Sequence, residues 1–220
     1  MMELPKNGDI IGGSRKKIKQ KMTNRIPGTL QTIIDLMAKL PGLGPRSARR
    51  TMLYLLHHKD TMRKIINALC EVESTVTKCE KCNNIDIQTP CHICRNERRD
   101  KSIICIVENI GELWAMERSL AFKGNYYVLG GLLSALEGMT PENLQLAKLE
   151  NRIIHDEVKE IIIAISATLD GQTTAYYIAD ALSKYDIKVS RLAFGIPIGA
   201  ELEYMDEGTL SIALKLRQNL

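Results

Sequence analysis

Four of the six cysteines in this chain fall in two pairs, Cys79-x2-Cys82 and Cys91-x2-Cys94, with eight residues between the pairs. Each C-x2-C turn can aim two thiolates at one point, and two such turns complete a tetrahedron around a zinc ion at about 2.3 Å per Zn–S bond. A redox pair would need only one C-x2-C, and stable disulfides are disfavoured in a cytosolic chain. The spacing therefore predicts one structural zinc per chain, held by Cys79, Cys82, Cys91 and Cys94. All four positions are filled by sulfur, which leaves no open site for water and predicts no catalytic role for the metal. A stretch this short cannot build a core of its own, so the metal should supply its folding energy. Cys70 and Cys105 are expected to be buried apolar fillers.

A second constellation is Leu40-Pro41-Gly42-Leu43-Gly44-Pro45-Arg46-Ser47-Ala48-Arg49-Arg50. Gly42 and Gly44 allow a sharp turn and a close approach of backbone to another surface. The amides opening the following helix can face a phosphate. Arg46 and Arg50 lie one turn apart on that helix, with Arg49 beside them, placed to meet neighbouring phosphates. This is the helix-hairpin-helix pattern, which grips the DNA backbone without reading bases. An αα-hairpin used only for packing is the competing reading.

The third constellation is acidic. Glu108 closes the apolar run IICIV at its C-terminal end, where parallel sheets place their sites, and Asp170-Gly171 follows the run EIIIAIS. The arrangement resembles the Toprim domain of topoisomerases, primases and related nucleases. In that family a Glu after the first strand and an Asp-x-Asp pair after a later one hold Mg²⁺ for phosphoryl transfer. Here Ser166 and Thr168 stand where the two aspartates would be, leaving Glu108 and Asp170 as degenerate acidic positions. Asp170 can instead cap the next helix. The expectation is a Toprim-like scaffold with no catalytic residues.

The elements that must position these groups follow from periodicity. Leu30, Ile33, Ile34 and Met37 recur at helical spacing, with Thr29 able to cap the start. SARRTMLYLL and a stretch from Thr61 to Cys70 form two more helices. After the cysteine ribbon, short β runs alternate with helical stretches: IICIV, ELWAMERSLAF, YYVLG, PENLQLAKLENRI, EIIIAIS, TTAYYIADALSKY, VSRLAF and a closing helix near TLSIALKLRQ. Such alternation predicts a mostly parallel sheet covered on both faces. The fold class is thus α/β and multidomain. A flexible basic arm covers 1–25, a helix-hairpin-helix domain 26–76, a four-cysteine zinc finger 77–98, a Toprim domain 101–197 and a C-terminal segment 198–220.

Charge is unevenly spread. Residues 1–63 carry 13 Lys and Arg against 4 Asp and Glu, whereas the rest carries 17 against 22; a local +9 thus sits on a body of −5, for a total of +4. A basic end on a near-neutral body favours a polyanion partner. No apolar run reaches the roughly 18 residues that span a bilayer. The opening MMELPKNGDIIGG lacks the pattern of a signal peptide, so a cytoplasmic location is expected.

Hairpin, four-cysteine ribbon and Toprim-like region, in this order and size, closely resemble the RecR family of bacterial recombination mediators. The resemblance runs from about Leu30 to Leu220. It includes Val128-Leu129-Gly130-Gly131, Ser134, Gly138, Pro141-Glu142-Asn143-Leu144 and the run from Gly195 to Tyr204. It implies a ring-like homotetramer that binds duplex and gapped DNA without sequence preference. It further implies partners RecO and RecF in gapped-DNA repair, and a part in loading RecA. A Walker-B-like stretch is implied around Phe194 to Tyr204, yet no GxxxxGK[ST] loop occurs anywhere, so ATP hydrolysis is not expected. The chain departs from the family in its long basic start, and in Ser166, Asp170 and Gln172 where Asn, Glu and Glu are more usual. The expected function is a non-enzymatic DNA-repair mediator; the alternative is a Mg²⁺-dependent Toprim nuclease or primase using Glu108 and Asp170.

Overall fold

The structure, a computed structural model, describes residues 26–193 and 195–217. The basic arm expected over 1–25 lies outside the described residues, as does Phe194 at the head of the Walker-B-like stretch. The described residues divide into two compact units, one ending at Glu73 and the other beginning at Ser74.

In the first unit α1 (Gly28–Met37), α2 (Pro45–His57) and α3 (Lys59–Thr75) follow one another, the last two residues of α3 passing the division. The apolar spacing read along α1 places Ile34 in a small core with Ala48 and Met52 of α2, while Leu30, Met37 and Met62 pack around them. Thr29 does not cap α1. Pro27 precedes the helix with φ −51°, close to the helical value its ring imposes, so the first turn opens one residue before Thr29. Cys70 is exposed rather than buried. It shares α3 with Ile65, Ile66, Leu69 and Val72, which are also exposed, and α3 buries none of its residues.

The second unit is built on a four-stranded sheet. Its strands are β3 (Asp100–Val107), β4 (Gly124–Val128), β5 (Glu160–Ala164) and β6 (Lys188–Arg191), all parallel, in the order β4-β3-β5-β6. β3, β4 and β5 carry their buried residues on both faces because both faces are covered, and alternation along them sorts two half-cores, whereas the edge strand β6 buries none of its residues. Ile104, Ile106, Tyr127, Ile161 and Ile163 meet residues of α6 (Leu146–His155) and α7 (Leu169–Leu182). Cys105, Val107, Tyr126, Val128 and Ala164 meet Leu113 of α5 (Ile110–Ser119) together with the four paired cysteines. Cys105 is buried as expected.

Two helices differ from the sequence pattern. α5 stops at Ser119 because Leu120 turns left-handed at φ 55°, ahead of the expected end near Phe122. The stretch from Pro141 is not one helix: a 3-10 turn, Pro141–Leu144, ends at Gln145 with φ 52°, and α6 starts afresh. Thr140 and Asn143 form a capping box that starts that turn, a local signal that the apolar periodicity hides. The closing helix, α8 (Glu207–Lys215), is capped by Asp206.

Candidate metal centre and nucleic-acid interface

The cysteine ribbon consists of β1 (Thr77–Lys78) paired antiparallel with β2 (Ile85–Asp86), followed by the short α4 (His92–Arg95). In the first knuckle Asn83 donates its N–H to the Cys79 carbonyl at 3.0 Å, and Asn83 itself takes φ 64°, which folds Cys82 back beside Cys79. The second knuckle closes with the Arg95 N–H on the Cys91 carbonyl at 3.1 Å. All four Sγ atoms lie within 4.8 Å of one another and all four residues are buried. Cys79 and Cys94 sulfurs are 4.0 Å apart, and those of Cys82 and Cys91 3.6 Å.

Those separations identify the chemistry the cluster can do. A disulfide needs about 2.05 Å between sulfurs, and the four thiols are free. A tetrahedron with Zn–S bonds of about 2.3 Å has sulfur–sulfur edges of about 3.8 Å, which the observed values bracket. The Cys91 N–H also points at the Cys79 sulfur from 3.3 Å, a contact that favours thiolate over thiol. Without a cation the four groups cannot all ionise. Hydrogen bonds from Cys82, and then from Cys91 and Cys94, hold Cys79 well below the ordinary thiol value. The same bond to Cys79, reinforced by burial, pushes Cys82 far above it. A divalent ion removes the conflict by deprotonating every ligand. The four residues fit a metal, and no other group of three or more His, Cys, Asp or Glu among the described residues is arranged to hold one.

The ribbon does not fold in isolation. β4 is an edge strand, and its outward-facing polar groups are taken by neighbours rather than left open. The Val128 N–H donates to the Cys82 carbonyl at 2.8 Å, and the Asn83 amide donates to the Val128 carbonyl at 2.9 Å. One residue pair earlier, buried Arg152 donates to the Tyr126 carbonyl at 2.8 Å while its Nε holds Asp156 at 2.9 Å. Arg99 covers the Gly124 carbonyl at 2.6 Å and pairs with Glu117. Lys148, on α6 like Arg152, reaches Asn83 Oδ1 at 2.7 Å and the Cys79 carbonyl at 3.4 Å. Sequence reading missed Lys148 and Arg152. The only local signal was two cations four residues apart on a helix that is otherwise apolar at that spacing.

In the first unit the hairpin turn is closed by the Leu43 N–H on the Leu40 carbonyl at 3.0 Å, and Gly42 takes φ 77°, where a side chain is strained. Gly44 precedes α2 with φ −77°, and a Cβ there would meet nothing within 4 Å. Nothing inside the unit requires Gly44 to lack a side chain. Pro45 opens α2, so the exposed first turn presents backbone amides with no side-chain cap. Arg46, Arg49 and Arg50 are exposed. None of the three forms an ion pair among the described residues.

Glu108 stands where the sequence put it, directly after β3, and is partly buried. Burial, joined by the charge of Glu112, pushes its carboxyl above the usual range. Its N–H donates to Glu112 Oε2 at 2.7 Å, and Asn109 caps α5. Asp170 is exposed in the first turn of α7, but it is not the cap. Thr168 accepts the Gly171 N–H at 3.1 Å and lies 3.1 Å from the Ser166 hydroxyl. The two hydroxyl residues at the aspartate positions therefore build the start of α7. Gly171 completes it, since a Cβ there would stand 2.0 Å from the Ser166 carbonyl oxygen.

Comparison with known proteins covers the hairpin, the Toprim-like sheet and the C-terminal segment. Family profiles match as "RecR, helix-hairpin-helix" over 30–72, "Toprim domain" over 102–193 and "RecR, C-terminal" over 195–218. A recombination protein RecR of Parvibaculum lavamentivorans is 50% identical over 190 residues, 86% of this chain and 96% of that protein. The RecR of Maricaulis maris is 48% identical over 192 residues, 87% and 96% of the two chains. That of Rickettsia felis is 53% identical over 190 residues, 86% and 94%. The chain belongs to the RecR family. Membership makes it a recombination protein with a helical hairpin, a four-cysteine cluster compatible with zinc, a parallel Toprim sheet and a C-terminal helix. The family's name denotes a recombination protein and no enzymatic reaction. No helix among the described residues is long and apolar enough to cross a membrane.

Proposed function

We propose that this chain is a non-enzymatic, DNA-binding recombination mediator of the cytoplasm. The observation that carries the reading is the hairpin: a turn with open space at Gly44 next to three exposed arginines that form no ion pair among the described residues. Phosphates of a DNA backbone supply the missing charge, and Gly42, Gly44, Arg46, Arg49 and Arg50 are the contact residues. Such contacts do not read bases, so binding is independent of sequence and extends to duplex and gapped DNA.

One structural zinc per chain, on Cys79, Cys82, Cys91 and Cys94, holds the ribbon against the Toprim sheet. By family resemblance the chain acts with RecO and RecF to help load RecA at gapped DNA, as a homotetrameric ring. The division proposed is 26–76 for the hairpin domain, 77–98 for the ribbon, 101–197 for Toprim and 198–220 for the C-terminal segment, after the arm over 1–25.

The test is DNA binding by the full chain across a salt series. Arg46→Glu with Arg50→Glu is expected to weaken binding to unrelated sequences alike and to flatten the salt dependence. Unchanged affinity would remove the hairpin assignment. A Toprim enzyme is the competing function: Mg²⁺-dependent cleavage or synthesis on gapped DNA that is lost in Glu108→Ala would replace the mediator reading.

A further inference from the structure

Lys148 is a cation that has lost part of its water without gaining a carboxylate. It is partly buried, and among the described residues it has no ion pair. Its amine is spent on two neutral oxygens of the first knuckle, Asn83 Oδ1 at 2.7 Å and the Cys79 carbonyl at 3.4 Å. Glu80 lines the same cleft, of about 240 Å³, but forms no ion pair with Lys148 among the described residues and acts on it only from a distance. Arg152, one turn further along α6 and lining that cleft too, is already neutralised by Asp156. A desolvated cation needs an opposing charge nearby, or its burial costs free energy.

Four thiolates around a divalent ion carry a net charge of −2, and the first knuckle contributes Cys79 and Cys82 to it. We infer that Lys148 is the counter-cation of the tetrathiolate metal centre, a positioning residue that lowers the cost of keeping that dianion buried. It does so from α6, across the edge of β4, while its bond to Asn83 holds the left-handed residue on which the knuckle turns. Asn83 in turn donates to Val128, so one chain of contacts runs from Lys148 through the knuckle to the edge strand. Partners of this kind outside the ligand set typically change metal affinity by about 10- to 100-fold.

The inference rests on the zinc reading above, so the experiment begins with the metal content of the purified full chain. Zinc held by wild type, Lys148→Met, Lys148→Gln and Lys148→Arg is then compared at equilibrium against a graded chelator, with circular dichroism confirming the fold. Lys148→Met and Lys148→Gln are expected to lower affinity about 10-fold, while Lys148→Arg, which keeps the charge, stays within about 3-fold of wild type. Methionine removes charge and hydrogen bond, whereas glutamine keeps a donor and removes only the charge. Wild-type affinity in Lys148→Met, or in Lys148→Gln alone, overturns the counter-cation role. A wild-type protein without metal overturns the zinc reading itself and is told apart at the first step.

Discussion

Val128, the last residue of the edge strand, gives its N–H to the carbonyl of Cys82 at 2.8 Å, joining the sheet's margin directly to a candidate metal ligand. The Asn83 amide answers at the Val128 carbonyl, so the strand end is bonded on both of its polar groups. Removing the metal is therefore expected to unsettle the strand as well as the ribbon. Cys82→Ser, or prolonged chelation, should lower the melting temperature by at least about 4 °C, the shift expected for about 1–2 kcal/mol in a chain of this size. It should also promote self-association through the uncovered edge. Calorimetry and light scattering on the full chain would show both, and a chelated protein that melts and scatters like the native one would contradict the coupling.

The arginines of the hairpin should act separately as well as together. Arg49→Ala is expected to weaken DNA binding several-fold on every sequence and to reduce the salt slope by about one. Fluorescence anisotropy at several salt concentrations would measure both. A change confined to one sequence would mean that Arg49 reads bases.

Gly171 should tolerate no side chain. Its Cβ would stand 2.0 Å from the Ser166 carbonyl oxygen, which is backbone and cannot swing away. Gly171→Ala is expected to cost about 1–3 kcal/mol, the range for overpacking. Thr168→Ala removes the cap and an exposed contact with the Ser166 hydroxyl, without a clash, and should cost about 1 kcal/mol. Denaturant titration would rank the two, and an equal or reversed order would contradict this account of the helix start.

Glu108 gives a pH-dependent prediction. Its carboxyl is raised first by burial and then by the charge of Glu112, so the folded protein binds a proton more readily than the unfolded chain does. Stability from this group therefore falls as pH climbs from the ordinary carboxylate value through the raised one, and the penalty is complete at neutral pH. Glu108→Gln should melt higher than the native protein at pH 7, by no more than about 2 °C because the group is still solvent-screened. The difference should vanish near pH 3, where both states are protonated. Melting curves at the two pH values would settle the sign.

Much of this architecture was legible because its signals are local. The spacing of Leu30, Ile34 and Met37 is a property of one helix, and the C-x2-C pairs announce their turns within four residues. The strands around Cys105 and Ile162 show as apolar runs, since burial on both faces leaves no room for polar alternation. What escaped is non-local. Lys148 meets the ribbon from 65 and 69 residues away in sequence, and its only local mark is Arg152 four residues on, a spacing that solvated helix cations share. The break at Gln145 escaped for a different reason: its left-handed backbone, φ 52°, ends the turn that Thr140 and Asn143 begin, and apolar periodicity registers neither. Asp170 and Thr168 are both good caps, and only the geometry of Gly171 chooses between them.

The four cysteines belong to the same half-core as Val107, Leu113 and Tyr126, and none of the four is more than 9% exposed. An ion held by all four would be part of the packing of that face and not an attachment at its surface. Its exchange with solvent would then call for the cover of α5 and the ribbon to loosen, so that the rate of metal loss would report on the breathing of this half-core.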